Sequence, residues 1–220
     1  MILGRFKQRS DVQTQANPTL LHGPLVPRHS SGWAAILEHL KTNESQRILD
    51  IGPTSPNNIN FLTGMGHSVY MTDLVQEANS GNYRLPLAEG ENPAEQGWDT
   101  ESFLNQNLEF SGRTFDVVLL WTTLDFLPQP LVAPVVKRLF RQTNPGARIL
   151  MLFHSRNKAE DSFFCRYHLT ETSELLMQET TNYPLVQVFP NRAIEKLYSC
   201  YSNYRFYLAK DNVYEVIITR

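Results

Sequence analysis

Residues 47–62, RILDIGPTSPNNINFL, hold an apolar run, a turn and the opening of a helix. RILDI reads as a strand buried on both faces, because its apolar residues follow one another instead of alternating. Ser55-Pro56 reads as a helix N-cap followed by proline in the first turn, where the missing N–H does no harm. Ile59, Leu62 and Met65 then supply an apolar stripe at helical spacing. Such a turn presents backbone N–H groups and the positive end of a helix to a ligand, and glycine lets a ligand approach the main chain closely. Here the turn has a single glycine, Gly52, followed by Pro53, which removes one donor, and Thr54. On these residues alone, a cofactor turn and an ordinary loop ending a buried strand both stay open.

Upstream, residues 1–30 mix Pro18, Pro24 and Pro27 with Leu20, Leu21 and Leu25, the composition of an arm draped over a domain. Ser30 or Ser31 caps a helix whose Trp33, Ile36, Leu37 and Leu40 share a face. This divides the chain into an arm and helix, 1–44, and an α/β body, 45–220. Downstream, HSVYMTDL (67–74) is rich in strand formers and closes on Asp73, and FDVVLLW (115–121) is the clearest buried strand. Between them the polar tract 75–101 is too long for an ordinary loop and reads as a lid, an irregular insertion or a poorly ordered segment. Leu131, Val135, Val136, Leu139 and Phe140 mark the next helix; Asn144-Pro145-Gly146 makes a turn, and RILMLF (148–153) is a further strand. Three strand-then-helix units predict a parallel sheet covered on both faces. The pattern then predicts helices over 170–181 and 191–201, and a hairpin of YRFYLAK and VYEVIIT about a two-residue Asp211-Asn212 turn.

A length of 220 residues with 41% hydrophobic residues suits one sizeable domain, and a formal net charge of -2 offers no global attraction to nucleic acid or an anionic membrane. Cys165 and Cys200 are too few for a disulfide framework, and no two of the six histidines stand at metal-ligand spacing. With no run of 18 apolar residues and no leader-like segment, a soluble, cytoplasmic protein is expected.

The order of these elements and the residues within them resemble the class I S-adenosylmethionine-dependent methyltransferases over residues 45–153. Ile48-Leu49-Asp50-Ile51-Gly52 fits the motif that ends the family's first strand, and Asp73, 21 positions after Gly52, stands where the family holds the ribose hydroxyls. Phe115-Asp116-Val117-Val118, the stretch from Leu124 to Leu127, and Asn144-Pro145-Gly146 match the later motifs, and the terminal hairpin agrees in topology. The resemblance implies a single Rossmann-like α/β domain with a seven-stranded, mostly parallel sheet, an antiparallel last strand and helices on both faces. It further implies S-adenosylmethionine as cofactor, S-adenosylhomocysteine as product and a small-molecule methyl acceptor.

Carried over residue by residue, the cofactor site comprises Asp50, Gly52, Thr54 and Ser55 at the first turn, with the two hydroxyls standing in for lost backbone contacts. Asp73 would bind the ribose, Leu74 would flank the adenine, and Asn105 or Asn107, after a third strand, would meet the adenine edge. Trp121 would face cofactor or acceptor, or pack in the core. Methyl transfer needs alignment more than a strong catalyst; a base is required only when the acceptor loses a proton. Asp125, His154, Tyr167 and His168 are the candidates for that role, with His154 directly after the fifth strand and Asp125 the first choices, and residues 154–190 have the aromatic and cationic mix of an acceptor-side lid. WTTLDFLPQP lacks the Asn/Asp-Pro-Pro-Tyr motif of many nucleic-acid amino-methyltransferases. Two competing readings are a noncatalytic binding or regulatory protein of the same fold and, lacking Gly-x-Gly-x-x-Gly, a nicotinamide-dependent oxidoreductase.

Overall fold

The computed structural model describes residues 23–220 except 54, 88, 89, 91, 93–95, 157–161, 209 and 210. Six strands form the central sheet: β2 (Arg47–Ile51), β3 (Ser68–Thr72), β4 (Phe115–Trp121), β5 (Thr143–His154), β8 (Asn203–Tyr207) and β9 (Val213–Thr219). Their order is β3-β2-β4-β5-β9-β8. The pairings among β3, β2, β4 and β5 are parallel, and those of β9 with β5 and β8 are antiparallel. A second, antiparallel sheet of order β1-β7-β6 is built from β1 (Val26–His29), β6 (Cys165–Leu169) and β7 (Glu174–Glu179).

Successive residues of the central strands enter opposite cores. Leu49, Ile51, Val118, Leu120, Ile149, Met151 and Phe153 pack on one face with α6 (Gln129–Gln142) and with Ile194 of α7 (Asn191–Leu197). Ile48, Val117, Leu119, Leu150 and Leu152 pack on the other with α1 (Ser31–Thr42), Leu62 of α2 (Pro56–Gly64) and the small sheet. Both helices on this face start as their caps require. The Ser30 hydroxyl accepts from Trp33 N, and Ser55 does the same for Asn58 N with Pro56 in the first turn. No described helix is long and apolar enough to cross a membrane.

Four expectations need correction. Among the described residues the sheet has six strands, not seven, and none lies between β3 and β4. The tract 75–101 instead runs from α3 (Leu74–Asn79) through a bridge of Arg84 to Trp98 into α4 (Thr100–Asn107). Its Pro86, Pro93, Gly90 and Gly97 interrupt any apolar run that a buried strand needs. Asn105 and Asn107 accordingly lie on α4 and follow no third strand.

Residues 170–181 are not helical. Their Glu, Leu, Met and Gln favour a helix locally, but β7 is paired on both sides, by β6 and by β1, and this tertiary pairing overrides the propensity. The terminal hairpin does not turn on two residues: Tyr207, the last residue of β8, pairs with Glu215, so 208–214 separate the paired residues. Asp211 is held in this loop by Arg28 and by Val213 N.

Candidate functional site

Parallel strands end together at one edge of the sheet, where open α/β sheets bind ligands. Gly52 N donates to Thr72 O at 2.9 Å, which sets the turn after β2 beside the end of β3 and the Asp73 that follows. Asp73 caps α3, its Oδ1 accepting from Gln76 N at 3.0 Å. Burial raises the pKa of this carboxyl, and Arg166 of β6 acts in the opposite direction. Leu74, next in sequence, is fully buried in the core. Thr54 lies outside the described residues.

Asp50 is buried under the turn and bonded from two sides. Trp121 Nε1 donates to its Oδ1 at 2.6 Å, and Asn58 Nδ2 to its Oδ2 at 3.2 Å. Burial pushes this carboxyl up to about 6, although both hydrogen bonds favour the charged form. Asn58 also clamps β6 over the turn, donating to Tyr167 O at 2.9 Å and accepting from Leu169 N at 2.8 Å. A second tie joins Ser55 Oγ to His168 Nδ1 at 2.9 Å, with His168 Nε2 at 3.2 Å from Gln178 Oε1.

Trp121 ends β4 with φ at 47°, a left-handed conformation that is costly for a bulky residue and occurs where the β4–β5 register shifts. Its indole stacks on Tyr167, ring centroids 4.9 Å apart and 12° from parallel. The other neighbour is Gly52, where a Cβ would stand 3.1 Å from the indole Cδ1. The close approach that the glycine permits is therefore taken by a tryptophan of the same chain.

Asp125 and His154 meet at the ends of β4 and β5. Asp125, on α5 (Thr123–Phe126), is fully buried; its Oδ2 accepts from His154 N at 2.7 Å and stands 2.8 Å from His154 Nδ1. Burial pushes the Asp125 carboxyl up to about 6 against those bonds, and its Oδ1 is buried with no hydrogen-bond partner. His154 lines a cavity of about 200 Å³, with Tyr167 and Cys165 of β6, Met177 and Glu179 of β7, and Val26 of β1 among its walls.

The geometry thus gathers Asp50, Gly52, Ser55, Asp73 and Trp121 around one turn and sets His154 and Asp125 beside a cavity that shares Tyr167 with it. Asn105 and Asn107 have other partners: Asn105 Oδ1 accepts from Arg138 Nη2 at 2.8 Å, and Asn107 Nδ2 donates to Tyr83 OH at 3.0 Å, bonds that tie α4 to α6 and to the preceding loop. Sequence reasoning missed Asn58. Its signal was present, since an asparagine four positions before Leu62 falls on the buried face of α2.

The family model of the methyltransferase domain matches residues 28–198. No curated protein matches the chain. Among solved structures, an S-adenosylmethionine-dependent methyltransferase from Clostridium acetobutylicum superposes with a TM-score of 0.50 at 11% identity, over 87% of this chain and 92% of that one. One from Methanosarcina mazei gives 0.49 at 19% identity, over 84% and 96%. The 1,6-didemethyltoxoflavin-N1-methyltransferase of Burkholderia thailandensis, with S-adenosylhomocysteine bound, gives 0.43 at 14% identity, over 86% and 76%. At these identities the likeness is one of fold.

Proposed function

Because the chain belongs to the methyltransferase domain family, we propose that it transfers a methyl group from S-adenosylmethionine to a compact small-molecule acceptor, leaving S-adenosylhomocysteine. The observation that carries this reading is the Gly52 N–H to Thr72 O bond, which sets the glycine turn and Asp73 side by side at the ligand-binding edge of the sheet. The cofactor supplies an electrophilic methyl on a sulfonium; the chain has to hold, orient and desolvate the partners. Its ribose half fits a carboxylate at Asp73. Its methionine half meets the Trp121 indole at Gly52, so in this conformation of the site the two do not fit.

On the acceptor side, Asp125 fixes His154 through Nδ1 and leaves Nε2 as the ring nitrogen to take the proton that an O–H or N–H acceptor gives up. The cavity beside it, about 200 Å³, is below the usual range for small-molecule pockets, which favours a small and largely apolar acceptor.

Calorimetric titration with S-adenosylmethionine and S-adenosylhomocysteine tests the reading. Saturable binding is expected, weakened at least about tenfold, or about 1.4 kcal/mol, in Asp73→Ala. No heat at millimolar ligand sinks the enzyme; unchanged affinity in a folded Asp73→Ala puts the ribose elsewhere. The contact of Trp121 with Gly52 favours a second reading, a noncatalytic binding or regulatory protein of this fold, which that first negative result would support.

A further inference from the structure

We propose that the groove between α6 and α7 is a binding site for a single-chain anionic amphiphile, with the apolar chain on its floor and a carboxylate head at its basic end. The site is separate from the one above and does not rest on the cofactor reading. Val132 and Val136, which line the groove, belong to the core on the α6 face of the central sheet, whereas Tyr167 and Val213, which line the cavity beside His154, belong to the core on the opposite face.

The groove measures about 820 Å³, within the usual range for small-molecule sites, against about 200 Å³ for the cavity beside His154. Its floor is apolar. Val132, Val136 and Phe140 stand one helical turn apart along α6, and Leu197 of α7 and Phe189, just before that helix, complete the lining. The two helices lie with their ends in step. Gln187 Nε2, ahead of α7, donates to Leu127 O, ahead of α6, at 3.0 Å, and beyond the other end Tyr201 packs on Phe140 with ring centroids 5.0 Å apart.

This common direction sorts the charge along the groove. Lys137 and Arg141 stand one turn apart in the last two turns of α6 and Lys196 in the last turn of α7, whereas the lining toward the helix starts is uncharged. Arg220 adds a fourth cation at the same end, its guanidinium 4.5 Å from the centre of the Phe140 ring. Lys137, Arg141 and Lys196 are exposed and make no ion pair with any described residue, and no acidic residue lines the groove among the described residues. Helix ends favour cations by themselves, but they do not call for an apolar floor beside them. In a chain whose formal net charge is -2, an unpaired basic cluster at one end of an apolar groove is complementary to an anion that carries an apolar tail. The planar fork of Arg141 suits a carboxylate head. A second copy of the chain would set the same three cations against one another, which disfavours it as the occupant.

Dodecanoate below its micelle concentration, titrated calorimetrically into the full chain, is expected to bind at one saturable site, at least about tenfold more tightly than dodecyltrimethylammonium, which has the same tail and the opposite charge. Lys137→Ala with Arg141→Ala, at exposed positions where alanine suits the helix, should weaken dodecanoate at least about tenfold. Cys200 reports on the groove itself, since it is exposed and lines it while Cys165 is buried; dodecanoate should slow alkylation of this thiol by N-ethylmaleimide. Absence of saturable binding, equal affinity for the two amphiphiles, or undiminished binding by the double variant overturns the proposal. So does saturation that leaves Cys200 unprotected, which puts the ligand elsewhere. Tighter binding of an amphipathic helical peptide with glutamates on its polar face would make the groove a protein-docking surface and overturn the small-ligand assignment. A dimer in sedimentation velocity with Cys200 already shielded before ligand is added would make it an interface between copies, with the same consequence.

Discussion

Arg28→Ala is expected to cost about 3–5 kcal/mol of folding stability, measured as a shift in urea midpoint, the range for breaking a buried ion pair by removing one partner. Arg28 is 5% exposed on β1, and its guanidinium donates to Glu215 of β9, itself 2% exposed, to Asp211 Oδ2 at 2.7 Å and to Val213 O at 2.9 Å. Glu215 Oε2 in turn accepts from Gly32 N at 2.5 Å, in the first turn of α1. At Gly32 a Cβ would lie 2.6 Å from a Leu150 methyl and 2.8 Å from that same Oε2, so any larger residue has to shift both side chains. Removing the guanidinium leaves Glu215 buried with one backbone donor. A double variant, Arg28→Met with Glu215→Leu, should recover part of the loss because both charges go, while Gly32 N stays unpaired. If Arg28→Ala costs less than about 1 kcal/mol, the network does not hold the small sheet to the central one.

The second large effect is on the pH dependence of stability. Asp50 and Asp125 are both pushed up to about 6 by burial, against an ordinary value of 3.8. Below about pH 4 each is protonated in the folded and the unfolded chain, and neither affects stability. Between about 4 and 6 the unfolded chain ionises first and the folded chain holds more protons, so stability falls as pH rises. Above the folded pKa the full penalty is present, roughly 3 kcal/mol per carboxylate. Histidines whose pKa values burial lowers, His39, His67 and His168, act with the opposite sign at the upper end of this range, so comparison with a variant is needed. Asp50→Asn, whose amide can accept from only one of the two donors Trp121 Nε1 and Asn58 Nδ2, should lower stability at pH 4 but lose less than wild type between pH 4 and pH 7, and adding Asp125→Asn should flatten the profile further. An Asp50→Asn profile parallel to that of wild type would show that Asp50 is already charged in the fold near its ordinary pKa.

How much of this was legible in the sequence depends on the range of the interactions. β2, β4 and β5 could be read because a strand buried on both faces needs a continuous apolar run, and RILDI, FDVVLLW and RILMLF are such runs. Ser30 and Ser55 could be read as caps because a cap acts within three residues. Asp73 could be placed at a strand end because the strand formers of residues 67–74 close on it. β7 could not be read, since its residues prefer a helix and its partner β1 lies about 150 positions upstream.

The sequence by itself thus determined a parallel α/β sheet with a single-glycine turn and an acidic strand end beside it. Only the tertiary structure decided what occupies that turn. Trp121 reaches Asp50 across 71 positions and Arg28 reaches Glu215 across 187, and such contacts follow from packing in three dimensions, not from any local period or propensity. Gly52 reads as an opening for a ligand when only its neighbours in the chain are considered. In the fold, the indole of Trp121 fills that opening.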